Sequence, residues 1–127
     1  MTAEQDKSLG AVLGSFIGDA LGSYLEFNTG VQSEEDIEKC MEMAGNGSWG
    51  LAPGQVTDDS ELAMAQMRAL VEAQGELDPA AHCKYYGTWY QHNPVFVGPS
   101  TANALSTIDP EKPDPKAPYA AALEMNA

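Results

Sequence analysis

The sequence predicts an all-α fold. Apolar residues recur at helical spacing in successive segments, and each segment opens on a capping residue and closes on Gly, Asn or Pro. No run alternates apolar and polar residues as a half-buried strand does, and no segment repeats another. With 127 residues, of which 43% are hydrophobic, the chain has the length of one domain and enough apolar surface for a modest core.

The first helix starts at a capping box, Thr2 with Gln5, and carries Leu9, Val12, Leu13, Phe16, Ile17, Ala20, Leu21 and Tyr24 as a stripe that is expected to face a core. On another face Gly10, Gly14, Gly18 and Gly22 recur every four residues. Each glycine costs a helix about 1 kcal/mol relative to alanine, so the strip predicts close approach of another backbone or of a ligand. A membrane helix also uses this spacing, but Asp19 interrupts an apolar run too short to span, so no membrane contact is expected. Asp19 and Glu26 lie seven residues apart, which on a helix places both on nearly one face. Asn28-Thr29-Gly30 ends the element.

Ser33 opens a second, short helix with Glu34, Glu35 and Asp36 in its first turn, carrying Ile37, Cys40 and Met41 and closed by Gly45. A glycine-rich loop from Asn46 to Val56 leads to Thr57-Asp58-Asp59-Ser60-Glu61, where a third helix begins and runs to about Ala73 or Gln74. This acidic cluster has two readings. In one, Thr57 caps the helix and the acids favour its macrodipole, each by about 0.3–1 kcal/mol. In the other, a hydroxyl and neighbouring carboxylates are the oxygen donors that a hard cation prefers.

Asp78-Pro79 starts a fourth helix whose His82, Tyr85, Tyr86, Trp89 and Tyr90 form an aromatic stripe expected to pack inward, with His82 a core or boundary histidine. After Asn93-Pro94, a loop reaches Ser100 or Thr101, either of which can cap a short helix through Leu105. The prolines between Asp109 and Pro118 predict a stiff, exposed connector, and a last helical pattern starts at Tyr119.

The net charge of −13, from nineteen acids against six bases, argues against nucleic acid or an anionic membrane surface as the main partner. A phosphate-bearing substrate would need a cation in between. Cys40 and Cys83 form no CxxC and read as reduced thiols of a cytoplasmic protein, and the acidic start Met1 to Asp6 is unlike a basic signal peptide.

Taken together, Gly18-Asp19-Ala20-Leu21-Gly22 with Glu26, then Thr57-Asp58-Asp59-Ser60, then Tyr86, Trp89, Gly98, Thr101 and Ala104-Leu105 resemble the N-terminal part of the ADP-ribosylglycohydrolase family. The resemblance implies that residues 1–127 are the N-terminal portion of a single orthogonal helical bundle. It also implies two adjacent Mg2+ ions in a cleft, with Thr57, Asp58 and Asp59 as metal ligands. Glu26, Asp58 and Asp59 would be catalytic, Glu26, Gly98 and Ser100 would touch substrate, and Asp19 would give a supporting hydrogen bond. The implied activity is Mg2+-dependent hydrolysis of the glycosidic bond between ADP-ribose and a protein side chain or small acceptor. Members complete the metal site with a second acidic cluster far toward the C-terminus. This chain stops before one, so weak metal binding and little turnover are expected of it alone, with the missing half on the same or another chain. Phe96, two residues before Gly98, stands where many members carry Asp and argues against an arginine-linked substrate. The alternatives are a non-catalytic ADP-ribose-binding or crystallin-like member, or an inactive fragment.

Overall fold

A computed structural model describes residues 1–125. The all-α expectation is met: the described residues form six α-helices, one 3-10 turn and no strand. No helix among them is long and apolar enough to cross a membrane. The chain divides into two compact units, Met1–Ser60 and Glu61 onward.

In the first unit α1 spans Ala3–Gly22, and α2 spans Glu34–Met41. Both start on capping boxes, the predicted one of Thr2 with Gln5 and a further one of Ser33 with Asp36, which satisfy backbone N–H groups that have no partner within the helix. The Cys40 thiol donates to the Leu21 carbonyl at 2.8 Å and ties α2 to the end of α1. The following loop folds back through paired backbone bonds between Asn46 and Leu51, of 2.6 and 3.0 Å, around a 3-10 turn at Gly47–Trp49. Gly45 is required there. Its φ is +71°, and a Cβ would stand 2.5 Å from the Leu51 carbonyl oxygen.

The described residues leave α1 more open than its apolar stripe and glycine strip predict. Of the apolar stripe only Ala20 is buried, while Leu9, Leu13 and Ile17 remain about half exposed. Nor does any backbone close on the glycine strip: a Cβ at Gly10, Gly14, Gly18 or Gly22 meets nothing within 4 Å among the described residues. Periodicity reports which residues share a face, and it cannot report whether anything covers that face.

The third helix, α3, spans Asp58–Glu72, opening at the end of the first unit and continuing into the second. In the second unit α4 (Pro79–Gln91), α5 (Pro99–Leu105) and α6 (Lys116–Met125) follow. Cys83, Leu105 and Ile108 are the buried centre, with Leu62, Tyr86, Trp89 and Tyr90 packed against them, so the aromatic stripe does face inward. The Trp89 indole N–H reaches a carboxylate, Glu61 Oε2, at 2.6 Å. Gly87 lets Ile108 lie directly on α4, since a Cβ there would stand 2.6 Å from Ile108 Cγ2. His82 is half buried, with Nδ1 2.8 Å from the Asp78 carbonyl oxygen.

Two boundaries differ from expectation. α5 starts at Pro99 after Gly98, with no side-chain cap from Ser100 or Thr101, because proline presets the helical φ and has no N–H to satisfy. The proline-rich connector ends at Pro115 and passes into α6, where Pro118 falls in the first turn and again lacks only an N–H that would have no helical partner. Asp114 accepts from the Lys116 N–H at 3.0 Å and fixes that start. Of the last predicted helical pattern, Asn126 and Ala127 lie outside the described residues. Both cysteines are free, as expected, Cys40 half buried and Cys83 buried.

Candidate functional site

The site is built in the first unit where α3 begins. Thr57 directly precedes α3, and its hydroxyl proton is turned to a carboxylate of α1. Asp19, about one turn from the end of the 20-residue α1, is the residue that accepts there. Its Oδ2 accepts from the Thr57 N–H at 3.0 Å and the Ser60 N–H at 3.2 Å, and the Thr57 hydroxyl donates to Oδ1 at 2.6 Å. The Ser60 hydroxyl donates to Oδ2 in a further short bond. Thr57 and Ser60 are 8% and 2% exposed, so these donors have little access to water and need the carboxylate. Burial alone would raise the pKa of Asp19, but the hydrogen bonds from Ser60 and Thr57 outweigh it and hold the carboxyl below its ordinary value. The supporting hydrogen bond expected of Asp19 is therefore present, and it joins α1 to the helix dipole of α3.

This arrangement also prepares Thr57. A hydroxyl has one proton and two lone pairs, and here the proton is committed to Asp19. Its oxygen is left as an acceptor beside Asp58 and Asp59.

Glu26 follows the end of α1, where the Ser48 hydroxyl donates to its carbonyl oxygen at 2.9 Å. Its carboxyl is raised above the ordinary glutamate value, first by burial and then by the negative charges of Asp58, Asp59 and Asp19, against an opposing hydrogen bond from the Trp49 side chain. Glu26 thus lies within electrostatic reach of three carboxylates from two other stretches of the chain. A cleft of about 690 Å³ is lined by three of these four carboxylates, Asp19, Glu26 and Asp59, with Ser15, Gly18 and Thr57 together with Gly22, Ser23 and Leu25. Gly18 and Gly22 keep its floor open, because neither has a side chain to fill it.

Gly98 and Ser100, the other predicted substrate contacts, belong to the second unit at the start of α5. Sequence reasoning assigned no task to Ser60 or Trp49. The signal for Ser60 was present: Thr57 and Ser60 stand three apart at a helix start, the spacing of a capping box, but position 60 carries no carboxylate to close it. An acceptor from elsewhere was implied.

The donors suit a hard divalent cation by type, since a hydroxyl and carboxylates are hard oxygen ligands. By number they are a partial set, because no three His, Cys, Asp or Glu side chains among the described residues come together at ligating range.

A family profile described as ADP-ribosylglycohydrolase matches residues 1–125. The chain belongs to the ADP-ribosylglycohydrolase family. Among curated relatives, the ADP-ribosyl-(dinitrogen reductase) glycohydrolase of Rhodospirillum rubrum is 42% identical over 93 residues, covering 73% of this chain and 31% of the relative. The ADP-ribosylarginine hydrolase Tri1 of Pseudomonas putida is 37% identical over 114 residues, 83% of this chain and 29% of the relative. Its namesake from Serratia proteamaculans is 34% identical over 107 residues, 79% of this chain and 28% of the relative. The chain therefore spans a little under a third of the length of these ADP-ribosylglycohydrolase relatives.

Proposed function

We propose that this chain is the carboxylate-bearing part of a Mg2+-dependent hydrolase that releases ADP-ribose from a modified protein side chain or small acceptor. The observation that carries the reading is the cleft that Asp19, Glu26 and Asp59 line beside Thr57, with the Glu26 carboxyl raised by burial and by the neighbouring charges of Asp58, Asp59 and Asp19. Like charges gathered in this way disfavour one another unless a proton or a cation joins them.

Thr57, Asp58 and Asp59 would hold the metal, with the Thr57 oxygen turned acceptor by its bond to Asp19. When bound, Mg2+ supplies charge neutralisation and polarisation of water and ribose oxygens. The chain's own residues do the rest. Asp19 stays ionised and holds the start of α3 against α1. Glu26 is protonated more readily than an ordinary glutamate, which suits it to exchange a proton with water in the cleft as the glycosidic bond breaks. The relatives' names support an ADP-ribosylated protein as the substrate class, with the rest of the fold on the same or another polypeptide. Two free thiols support a cytoplasmic location.

The test has two arms. Saturating Mg2+ should raise the thermal midpoint of the chain, as any ligand of the folded state must, and Asp58→Asn with Asp59→Asn should abolish the rise. Neither residue caps α3, and the macrodipole interaction lost from its first turn is offset by relief of charge repulsion at Glu26, so the metal-free midpoint should hardly move. A rise that survives the double substitution refutes the metal assignment. In the second arm, a family-length chimera should release ADP-ribose from an ADP-ribosylated protein, and no release from either arginine- or serine-linked substrate refutes the hydrolase reading. The partial donor set favours a second reading, a non-catalytic ADP-ribose binder. Heat on titration with ADP-ribose without any release would support it.

A further inference from the structure

α1 carries two adjoining strips that the described residues leave half exposed or open. Leu9, Leu13 and Ile17 recur every four residues and are 47%, 50% and 47% exposed. On the adjoining face the four glycines leave open space where a Cβ would stand. Four glycines give up about 4 kcal/mol of helix propensity at the usual rate of about 1 kcal/mol each relative to alanine. An aliphatic ridge beside a notch without side chains is the surface against which another helix packs at the short end of the usual interaxial range.

We propose that this face of α1 seats a helix from the part of the family fold that lies outside this chain, and that the seated helix walls the open side of the cleft. Length argues for this occupant. The chain covers 31% and 29% of two relatives, so more than two-thirds of each lies outside the matched part. Continuity argues for the wall: Gly18 and Gly22, the last two members of the strip, line the cleft with Asp19 and Glu26. Charge argues against a second copy of the chain. Each copy carries −13, and pairing through α1 would bring two sets of Asp19 and Glu26 toward each other with no Lys or Arg among the residues that line either cleft. The inference rests on family membership and not on the hydrolase reading.

The experiment compares Leu13→Cys in the full chain with Leu13→Cys in a chimera where this chain replaces the matched region of the Rhodospirillum rubrum relative. Maleimide labelling is followed at that position by peptide mass spectrometry. Cysteine is smaller than leucine and leaves room for the seated helix. Labelling should be at least about tenfold slower in the chimera, as expected where access requires local opening. Leu13→Glu should remove the cooperative melt of the chimera while leaving that of the chain alone unchanged, since position 13 is exposed there. Equal labelling rates overturn the proposal, and so does a chimera that never melts cooperatively, because this face would then not accept the remainder. A chain that sediments as a dimer with position 13 protected assigns the face to a second copy and also overturns it. No readout involves ADP-ribose or metal, so failure here leaves the hydrolase reading to its own assay.

Discussion

Replacing Asp19 with alanine removes the acceptor of four hydrogen bonds at once, from Thr57 N–H and Oγ1 and from Ser60 N–H and Oγ. Hydrogen bonds to a charged group contribute about 1.5–3 kcal/mol each where buried, but they share one carboxylate and do not add. The carboxylate is itself half exposed, so solvent competes for it. Losing the N-cap acceptor alone costs about 0.5–2 kcal/mol. Leaving the buried Thr57 and Ser60 hydroxyls without a partner adds a desolvation penalty of about 1–3 kcal/mol. The expected loss for Asp19→Ala is therefore about 2–4 kcal/mol, a large part of the stability of a small domain. Asp19→Asn keeps one acceptor oxygen and should lose about half as much. Urea denaturation followed by circular dichroism at pH 7 measures both. A loss below about 1 kcal/mol for alanine, or equal losses for the two variants, would refute the assignment of Asp19 as the shared acceptor.

The same bonds set a pH dependence. Asp19 is held below its unfolded value, so its contribution is complete above the ordinary aspartate range and should be lost as the pH falls through the lower folded value. Asp19→Asn should flatten this acid limb of a stability-versus-pH curve. Glu26 has the opposite sign: raised in the folded chain, it favours folding below the ordinary glutamate range and opposes it as the pH rises through the folded value. Without metal, Glu26→Gln should thus raise the thermal midpoint at pH 7 and have little effect at pH values below the ordinary glutamate range. A lowered midpoint at pH 7 would contradict the environment described for Glu26. Gly87→Ala should destabilise by about 1–2 kcal/mol in urea melts, overpacking against buried Ile108 outweighing the gain in helix propensity. Gly10→Ala, which meets nothing within 4 Å, should instead stabilise the isolated chain by about 0.5–1 kcal/mol. Equal effects at the two glycines would show that their surroundings do not differ as described.

Local rules made most of the helices legible. Thr2 with Gln5, Ser33 with Asp36, and Asp78 before Pro79 each satisfy backbone groups within four residues, so the starts of α1, α2 and α4 are written in adjacent letters. The start of α5 and the entry to α6 were misplaced because proline in a first turn looks like a breaker and acts as an initiator. The order of the motifs around Asp19, Glu26 and Thr57 to Ser60 was enough for the family, since such spacing survives in a linear string.

By itself, then, the sequence determined the helix periods, most of their ends, the all-α class and the run of oxygen-bearing residues Thr57, Asp58 and Asp59. Only the tertiary structure decided that Asp19 caps a helix 38 residues away, that Glu26 lies near three other carboxylates, and that Gly87 is filled by Ile108 whereas the four glycines of α1 are not filled by any described residue. The reason is range. A helix closes its hydrogen bonds over four residues and so leaves a local signature, but a carboxylate's partner, its charged neighbours and the covering of a face depend on where the chain returns in space.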